Sequence, residues 1–245
     1  MDRFTTEGNS PAPFPETSWR SILAARDRQA PDYVDRVNRL AKLYWRPVYW
    51  YIRLQWNKTH EQCKDLTQQF FLQMLERDVF GLADPSKGSF RSFLRAVLKH
   101  FLLVTKRDER RLKRGGGKSL LSLTMDDVQE ERILPAAKGK TPDETFDLEW
   151  ARSVMDEAFG RLETESKKEK QQEAYEAFKR YYFAKTPLSY AEVAKQMGIS
   201  EFTLQNRLYA MRQRLKKIVR ELVTDSVGGP EEVENELKTL LLDQG

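Results

Sequence analysis

The spacing of the apolar residues is the feature of this sequence that most constrains its fold. Apolar side chains recur every three or four residues in several long segments, a period that is typical of amphipathic α-helices. No segment alternates apolar and polar residues over the length of a strand, so the sequence predicts an all-α protein. The predicted helical segments are residues 33–54, 61–77, 89–114, 146–162, 171–183, 190–197 and 201–222.

Proline, glycine and charge divide these helices into two small domains. Three prolines within the first sixteen residues predict a disordered tail, and Thr17 or Ser18 is placed to cap a short helix that starts at Trp19. Three consecutive glycines, Gly115 to Gly117, stop the third long helix. The predicted order is a disordered tail at 1–16, a helical domain at 17–114, a flexible acidic linker at 115–145, a helical domain at 146–223 and an acidic C-terminal helix at 224–245.

The residue content of the 245-residue chain excludes several classes of protein. A single cysteine, Cys63, cannot form an intrachain disulfide, and with only His60 and His100 as histidines neither a Cys/His zinc site nor a metal cofactor is expected. The N-terminal residues lack the apolar stretch of a secretory signal. The longest apolar runs fall far short of the ~20 residues that span a bilayer. We therefore expect a soluble intracellular protein with no membrane insertion.

Charge is segregated along the chain. Residues 88–118 hold ten basic and two acidic residues, and residues 188–223 hold seven and three. Between them, residues 119–165 hold five basic and twelve acidic residues, and the last segment, 224–245, holds one and six. Two separated basic segments favour two contacts with one polyanion. The same runs also fit solvated helix faces, and charge by itself does not decide between these interpretations.

Residues 188–215 form the sharpest local motif. Ser189 is placed to cap a short helix, and Gly198 permits the left-handed conformation that ends it. Ser200 is placed to cap a longer, basic helix, with Ile199 under the turn. This arrangement predicts a DNA-binding helix-turn-helix, and the alternative is a helical hairpin with a purely structural role.

The second helix of this motif has an apolar face and a polar face. The apolar residues Leu204, Leu208, Met211 and Leu215 recur at helical spacing and are expected to face inward. Gln and Asn side chains suit adenine edges, and Arg suits guanine or phosphate, so the polar face fits a DNA groove. That face consists of Glu201, Thr203, Gln205, Asn206, Arg207, Tyr209, Arg212 and Gln213.

This helix-turn-helix resembles region 4 of bacterial RNA polymerase sigma factors of the sigma-70 family, in the extracytoplasmic-function (ECF) group. The sequence KDLTQQFFLQML at 64–75 is similar to region 2.2, and DPSKGSFRSFLRAVLKHFL at 84–102 is similar to regions 2.3 and 2.4. The resemblance spans about residues 18–223. The opening TSW at 17–19, the KRGGG run at 113–117 and the acidic C-terminal helix resemble a subgroup common in planctomycete-type bacteria.

The resemblance implies a non-enzymatic specificity subunit without a cofactor. Region 2 would dock on core RNA polymerase and would capture and help to melt the minus-ten promoter element. Region 4 would read the minus-thirty-five element. The implied partners are core RNA polymerase and promoter DNA, with an anti-sigma factor or a Ser/Thr kinase left open. The implied location is the cytoplasm, in association with the nucleoid.

The resemblance also assigns candidate residues to each contact. Core-polymerase binding falls on one helical stripe, at Asp65, Thr67, Gln68, Gln69 and Gln73. Minus-ten binding falls on a basic row with one histidine, at Arg91, Arg95, Lys99, His100, Lys106, Arg107, Arg110 and Arg111. Minus-thirty-five binding falls on the recognition helix, at Thr203, Gln205, Asn206, Arg207, Tyr209, Ala210 and Arg212. Within this last set, Arg207 and Arg212 are assigned to phosphates.

Each of these assignments has a plainer alternative. The polar stripe of the predicted helix at 61–77 could be an ordinary solvated face, with Phe71 and Met74 in the core. By position alone, His100 fits an ordinary, partly buried histidine equally well. Three tryptophans are expected to lie in the core or on the domain surface rather than to stack on DNA bases. They are Trp45, Trp50 and Trp56.

Two positions depart from the family pattern. Gln69 stands where many relatives have Glu, so the docking stripe is less acidic. The Asn of an Arg-Asn pair is missing near Lys99 and His100, which puts the identity of the minus-ten readers in doubt. A phosphate on Thr67 would add about −1.5 to −2 charge beside Gln69 and would strengthen docking, whereas the plainer interpretation is a tolerated Gln.

The acidic C-terminal helix lies outside the two-domain minimum of the family. It could fold onto the basic region 4 and mask it, in which case deletion of residues 228–245 would raise the affinity for DNA. The plainer interpretation is an extension that packs on region 4.

Two rival functions fit parts of the sequence. A free-standing DNA-binding repressor or activator would need only residues 146–223 and a dimer or ligand domain, and the region 2 motifs argue against it. A nuclease or recombinase would need clustered carboxylates or a placed nucleophile. The acidic pairs at 126–127 and 130–131 lie in the predicted linker, which cannot hold catalytic geometry well.

Overall fold

The computed structural model describes residues 31, 33–56, 58–77, 79–84, 87–112 and 139–224. Those residues form seven α-helices and one short 3-10 turn and contain no strand, so the all-α prediction is confirmed. The predicted N-terminal tail, the helix from Trp19, most of the linker and the acidic C-terminal helix lie outside the described residues. The helices are α1 (Tyr33–Gln55), α2 (His60–Glu76), α3 (Phe90–Leu112), α4 (Pro142–Lys168), α5 (Gln172–Tyr182), α6 (Tyr190–Met197) and α7 (Glu201–Thr224).

Helix α1 continues across Pro47, where the sequence left open a bend or a division. Proline removes one backbone hydrogen bond and disfavours a helix interior. The turns on both sides of Pro47 are nevertheless buried, because Tyr44, Val48 and Ile52 all face the core. Tertiary packing of these side chains therefore holds the helix through the position that its local preference disfavours.

Helix α4 begins earlier and ends later than the periodicity indicates. The backbone N–H of Glu144 donates to the Thr141 hydroxyl over 3.2 Å, and the Glu144 carboxylate accepts from the Thr141 backbone N–H over 2.6 Å. Pro142 occupies the first turn, where a missing N–H costs nothing. This capping box starts the helix inside the predicted linker at 115–145, whose last four residues are therefore helical.

Both groups of helices pack against α4. Near its start, the Phe146 ring stacks on Tyr44 of α1 at a centroid separation of 6.5 Å. Near its end, the Glu165 carboxylate accepts from Arg214 of α7 over 3.1 Å. The buried apolar side chains of the described helices consequently form one continuous cluster. The division into domains at 17–114 and 146–223 stays a prediction.

The turn between α6 and α7 forms as the sequence predicts. The Ser189 hydroxyl accepts from the Glu192 backbone N–H, and the Glu192 carboxylate accepts from the Ser189 backbone N–H over 2.7 Å. The bond from the Ser189 backbone N–H, and a second one from the Ser189 hydroxyl over 2.7 Å, lower the pKa of the Glu192 carboxyl below its ordinary value. Gly198 ends α6 with a φ of 66°, and Ser200 caps α7 by accepting from the Thr203 backbone N–H over 3.1 Å.

Replacing Ser189 by alanine is expected to lower the free energy of unfolding by about 1 kcal/mol, because an N-terminal N–H of α6 loses its acceptor. The matched control is Ser189→Asp, which keeps a capping oxygen and should stay close to the parent. Urea denaturation followed by circular dichroism measures both variants. Equal loss in the two variants would show that the cap is not the source of the effect.

Candidate nucleic-acid interface

The outward face of α7 presents a row of side chains to solvent. Asn206, Tyr209 and Gln213 follow one another at helical spacing and are exposed, and Gln205 and Ala210 flank them, also exposed. The inward residues Leu204, Leu208 and Met211 are buried, as predicted. Amide side chains on an exposed face next to a capped turn are the groups that hydrogen-bond base edges in a major groove.

Three of the predicted minus-thirty-five residues are instead held by neighbours within the chain. The Thr203 hydroxyl lies 2.8 Å from the Ser200 hydroxyl, at the cap of α7. Arg207 donates to Glu173 of α5 over 2.5 Å, and Arg212 Nε donates to the Leu208 carbonyl over 3.3 Å. Arg207 and Arg212 are half-buried beside the exposed face; the Arg207 bond to Glu173 fastens α7 to α5, whereas the Arg212 bond stays within α7.

A cluster around Arg214 fastens α7 to the end of α4. Its guanidinium donates to Glu165 over 3.1 Å and also pairs with Glu169. The bond from Arg214 lowers the pKa of the Glu169 carboxyl and raises the pKa of Arg214 itself. Sequence reasoning missed this cluster because its members lie far apart in the chain. It orients the helix whose exposed face carries the candidate DNA contacts.

The predicted basic row on α3 is not open along its whole length. Arg91 is only 8% exposed, and its guanidinium lies 4.6 Å from the centroid of the Trp150 ring, with Nη1 3.1 Å from Asp147 Oδ1. An arginine that stacks on a buried tryptophan and pairs with a carboxylate stabilises the fold. Arg91 is therefore buried against α4, and its assignment to minus-ten binding stays a prediction from sequence that this packing does not support.

Two further cations of this row pair with α4. Arg95 donates through Nη1 to both Asp147 oxygens, over 3.1 Å and 3.0 Å. Lys99 Nζ donates to Asp143 Oδ2 over 2.8 Å, although its side chain remains about half exposed. Asp143 lies in the predicted linker at 115–145, whereas Asp147 lies in the predicted helix at 146–162, so sequence reasoning missed the start of α4 that carries Asp143. The Thr-Pro-Asp-Glu sequence at 141–144 is the signal that could have found it.

The C-terminal part of the row is free of α4 contacts among the described ion pairs. His100, Lys106 and Arg107 are exposed on α3. The side chains of Arg110 and Arg111 lie outside the described part of the chain. The positive charge available to a nucleic-acid backbone therefore lies toward the C-terminal half of α3.

The predicted core-polymerase stripe on α2 is partly accessible. Asp65 and Gln69 are exposed, and Gln68 and Gln73 are half-buried. Thr67 is 0% exposed, and its hydroxyl donates to the Cys63 carbonyl over 2.8 Å. Thr67 therefore faces the core and is not accessible on the stripe, and the hypothesis of its phosphorylation stays a prediction from sequence. A single-residue offset on a helix turns a side chain by about 100°, which explains how neighbours in sequence differ in exposure.

The remaining predictions concern the tryptophans, two core residues and metal binding, and they are compared with the described residues only. Trp45 and Trp50 are buried, as predicted, while Trp56 is half-buried with Lys58 Nζ 5.0 Å from its ring centroid. Phe71 and Met74 are buried. Within the described ranges, no group of carboxylates, histidines and cysteine is arranged to hold a metal ion. No helix in those ranges is both long enough and apolar enough to cross a membrane.

Glu149 is the most deeply placed acidic residue of the α1–α4 contact. Its side chain is 0% exposed, Oε2 lies 3.2 Å from Arg46 Nη2, and Oε1 lies 2.6 Å from Arg152 Nη1. Burial raises the pKa of the Glu149 carboxyl, and the two arginines oppose that rise without cancelling it. Folding therefore makes this carboxyl harder to ionise than it is in the unfolded chain.

Replacing Glu149 by glutamine is expected to raise the free energy of unfolding near neutral pH, because the amide avoids the cost of burying a charge. Arg46 keeps Asp156 at 3.0 Å, and the Arg152 side chain is about one-third exposed to solvent, so neither guanidinium is left both buried and unpaired. Since a raised carboxyl pKa favours the folded state at low pH, the advantage of the variant should shrink as the pH falls toward the ordinary value of 4.5.

Thermal unfolding of the parent and Glu149→Gln across this pH range measures the effect. The control is Glu157→Gln, since Glu157 lies on the same helix, pairs with Lys42 over 3.5 Å and keeps contact with solvent. That control should bring no gain in stability. A less stable Glu149→Gln at neutral pH would show that the two arginine contacts outweigh the desolvation of the carboxylate.

Comparison with known proteins adds one match. A family model described as ECF sigma factor matches residues 51–221, which run from the last turn of α1 to the last turn of α7. No curated protein and no solved structure matches the chain.

Proposed function

Because the chain belongs to the ECF sigma factor family, we propose that it binds core RNA polymerase and reads two promoter elements with two separate surfaces. The family consists of sigma factors, which are DNA-binding transcription factors and not enzymes, so the chain directs transcription initiation. In the proposal, α1–α3 carry the minus-ten contacts and the polymerase contact. The α6–α7 pair carries the minus-thirty-five contacts.

The exposed amide face of α7 is the observation that carries the proposal. Gln205 and Asn206 are exposed within the first two turns of a helix that is capped at Ser200 and packed inward by Leu204 and Leu208. In helix-turn-helix proteins, the N-terminal residues of the second helix contact base edges. We assign base contacts to Gln205, Asn206, Tyr209 and Ala210, and phosphate contacts to Arg207 and Arg212.

The proposed minus-ten contacts lie closer to the C-terminal end of α3 than the full basic row predicted from sequence. Lys106 and Arg107 are exposed and supply charge for a DNA backbone, and the exposed side chains of Lys99, which also pairs with Asp143, and His100 lie on the same helix. Arg95 is shared with Asp147 and contributes less, while Arg91 belongs to the core contact with α4. Arg110 and Arg111 stay in the proposal on the basis of sequence alone.

The polymerase contact is assigned to the accessible part of α2. Asp65 and Gln69 are exposed and present hydrogen-bonding groups on one helix, with Gln68 and Gln73 at its border. The accessible part of the stripe omits the buried Thr67, so neither a kinase acting there nor a phosphate contributes to the proposal. An anti-sigma factor, the planctomycete-type subgroup and the masking role of the acidic C-terminal helix stay predictions from sequence. The proposed activity takes place in the cytoplasm, at the nucleoid.

Run-off transcription tests the proposed function. Purified core polymerase from the source bacterium is supplied with a library of promoter fragments, with and without the chain. Specific initiation that requires the chain, from fragments that share two spaced elements, is the expected result. Core polymerase that neither binds the chain nor gains specificity, while the chain alone binds DNA, would overturn the proposal in favour of a free-standing regulator.

A further inference from the structure

Phe202 is a large apolar side chain that α7 turns toward solvent. It is 72% exposed, one of the highest values among the described apolar residues, and it occupies the second position of the helix. Asn206 and Tyr209 follow it at intervals of four and three residues, which places all three along one outward row. Tyr209 is itself 61% exposed. Phe202 is therefore the first aromatic group of the face assigned to DNA.

The packing of α7 does not account for this position. The core side of the helix is supplied by Leu204, Leu208 and Met211, all buried. The neighbouring Thr203 turns its hydroxyl to Ser200 at the cap. An exposed phenyl ring forgoes the stabilisation that burial would bring, so it contributes nothing to the fold that a polar residue would not. Such a ring is stabilising only when it contacts another molecule.

The chemistry of the major groove identifies what this ring can contact. Base edges there present hydrogen-bond donors and acceptors, which suit Gln205 and Asn206, and one apolar group, the 5-methyl of thymine. A phenylalanine has no donor or acceptor, so it can discriminate only through that methyl. Because N-terminal residues of a recognition helix lie nearest the base edges, Phe202 is well placed for it.

We propose that Phe202 selects thymine at one position of the minus-thirty-five element by packing its ring against the thymine 5-methyl group. The inference rests on the proposed function, since it requires α7 to lie in the major groove. It adds a base preference that the amide residues cannot supply. The recognised base is expected to adjoin the one contacted by Asn206, which lies one helical turn along the same row.

Deoxyuridine substitution tests this directly, because deoxyuridine differs from thymidine only by the missing 5-methyl. The polymerase holoenzyme containing the full chain is first used to select its minus-thirty-five element. Each thymine of that element is then replaced in turn by deoxyuridine. At one position the parent should lose about fourfold in affinity, the effect expected for one buried methyl. At that position Phe202→Ala should bind both templates equally.

Two controls separate this contact from general loss of apolar surface. Phe202→Leu keeps an apolar group and should retain part of the discrimination. Leu54→Ala removes an exposed apolar side chain of α1, 38% exposed, and should leave the deoxyuridine effect unchanged. An element without thymine, or a Phe202→Ala variant that still discriminates against deoxyuridine as the parent does, would overturn the inference. Both outcomes leave specific initiation intact, whereas failure of the proposed function abolishes initiation on every template.

Discussion

Replacing Trp150 by alanine is expected to lower the free energy of unfolding by about 3–5 kcal/mol, the range for a large aromatic side chain removed from a core. Trp150 is 0% exposed, and the Arg91 guanidinium lies 4.6 Å from its ring centroid. The substitution leaves a cavity in the core on which α4 packs and removes the aromatic face that Arg91 contacts. Urea denaturation followed by circular dichroism measures the loss.

The matched control for this prediction is Trp56→Ala. Trp56 is half-buried at the end of α1, with Lys58 rather than an arginine near its ring, and its removal should cost clearly less. Arg91→Ala should also destabilise the chain, and the Arg91→Ala, Trp150→Ala pair should lose less than the sum of the single variants. Additive losses would show that the two side chains do not depend on each other.

The Trp150 prediction also separates two accounts of the α3 row. If Arg91 served mainly as a DNA contact, Arg91→Ala would reduce DNA affinity without changing the free energy of unfolding. Because Arg91 contacts Trp150 and Asp147, we instead expect Arg91→Ala to lower the free energy of unfolding more than it lowers the affinity for DNA. Lys106→Ala should show the converse pattern, because Lys106 is exposed on the same helix.

Replacing both Gln205 and Asn206 by alanine is expected to reduce specific initiation at least about thirtyfold, since each lost bidentate base contact costs about 1–3 kcal/mol of discrimination. Both side chains are exposed, so their removal should leave the fold unchanged. Run-off transcription on the selected promoter measures initiation. A binding assay with core polymerase alone shows whether docking survives.

The matched control here is Gln213→Ala, the same residue type on the same exposed face but farther from the start of α7. It should retain most of the specific initiation, because base contacts concentrate at the N-terminal end of a recognition helix. Equal losses in the control and in the double variant would contradict the assignment. A loss of core binding in the double variant would place these residues at the polymerase instead.

The local sequence was sufficient to predict those structural features whose physical cause lies within a few residues. The capping residues Ser189 and Ser200 and the turn at Gly198 were predicted correctly because each acts within four residues of its own position. The inward face of α7 followed from spacing alone. The exposed amides Gln205 and Asn206 followed from the same spacing, since they lie opposite the buried row.

Contacts between residues far apart in the chain could not be predicted from local sequence. Arg91, Arg95 and Lys99 lie at one helical spacing and are equally basic in sequence, yet Arg91 is buried on Trp150 and Lys99 is half exposed. Their partners Asp143 and Asp147 come from α4, more than forty residues away in the chain. No local pattern indicates which cations a distant acidic helix will cover.

The sequence by itself determined the all-α class, the helix-turn-helix and the family to which the chain belongs, because periodicity, caps and motif order are properties of neighbouring residues. Tertiary structure decided which members of each predicted set remain available to a partner. Thr67 faces the core, Arg91 stacks on Trp150, and Phe202 remains in solvent. Those outcomes depend on how helices far apart in sequence pack together, since burial and ion pairing are properties of the packed surface.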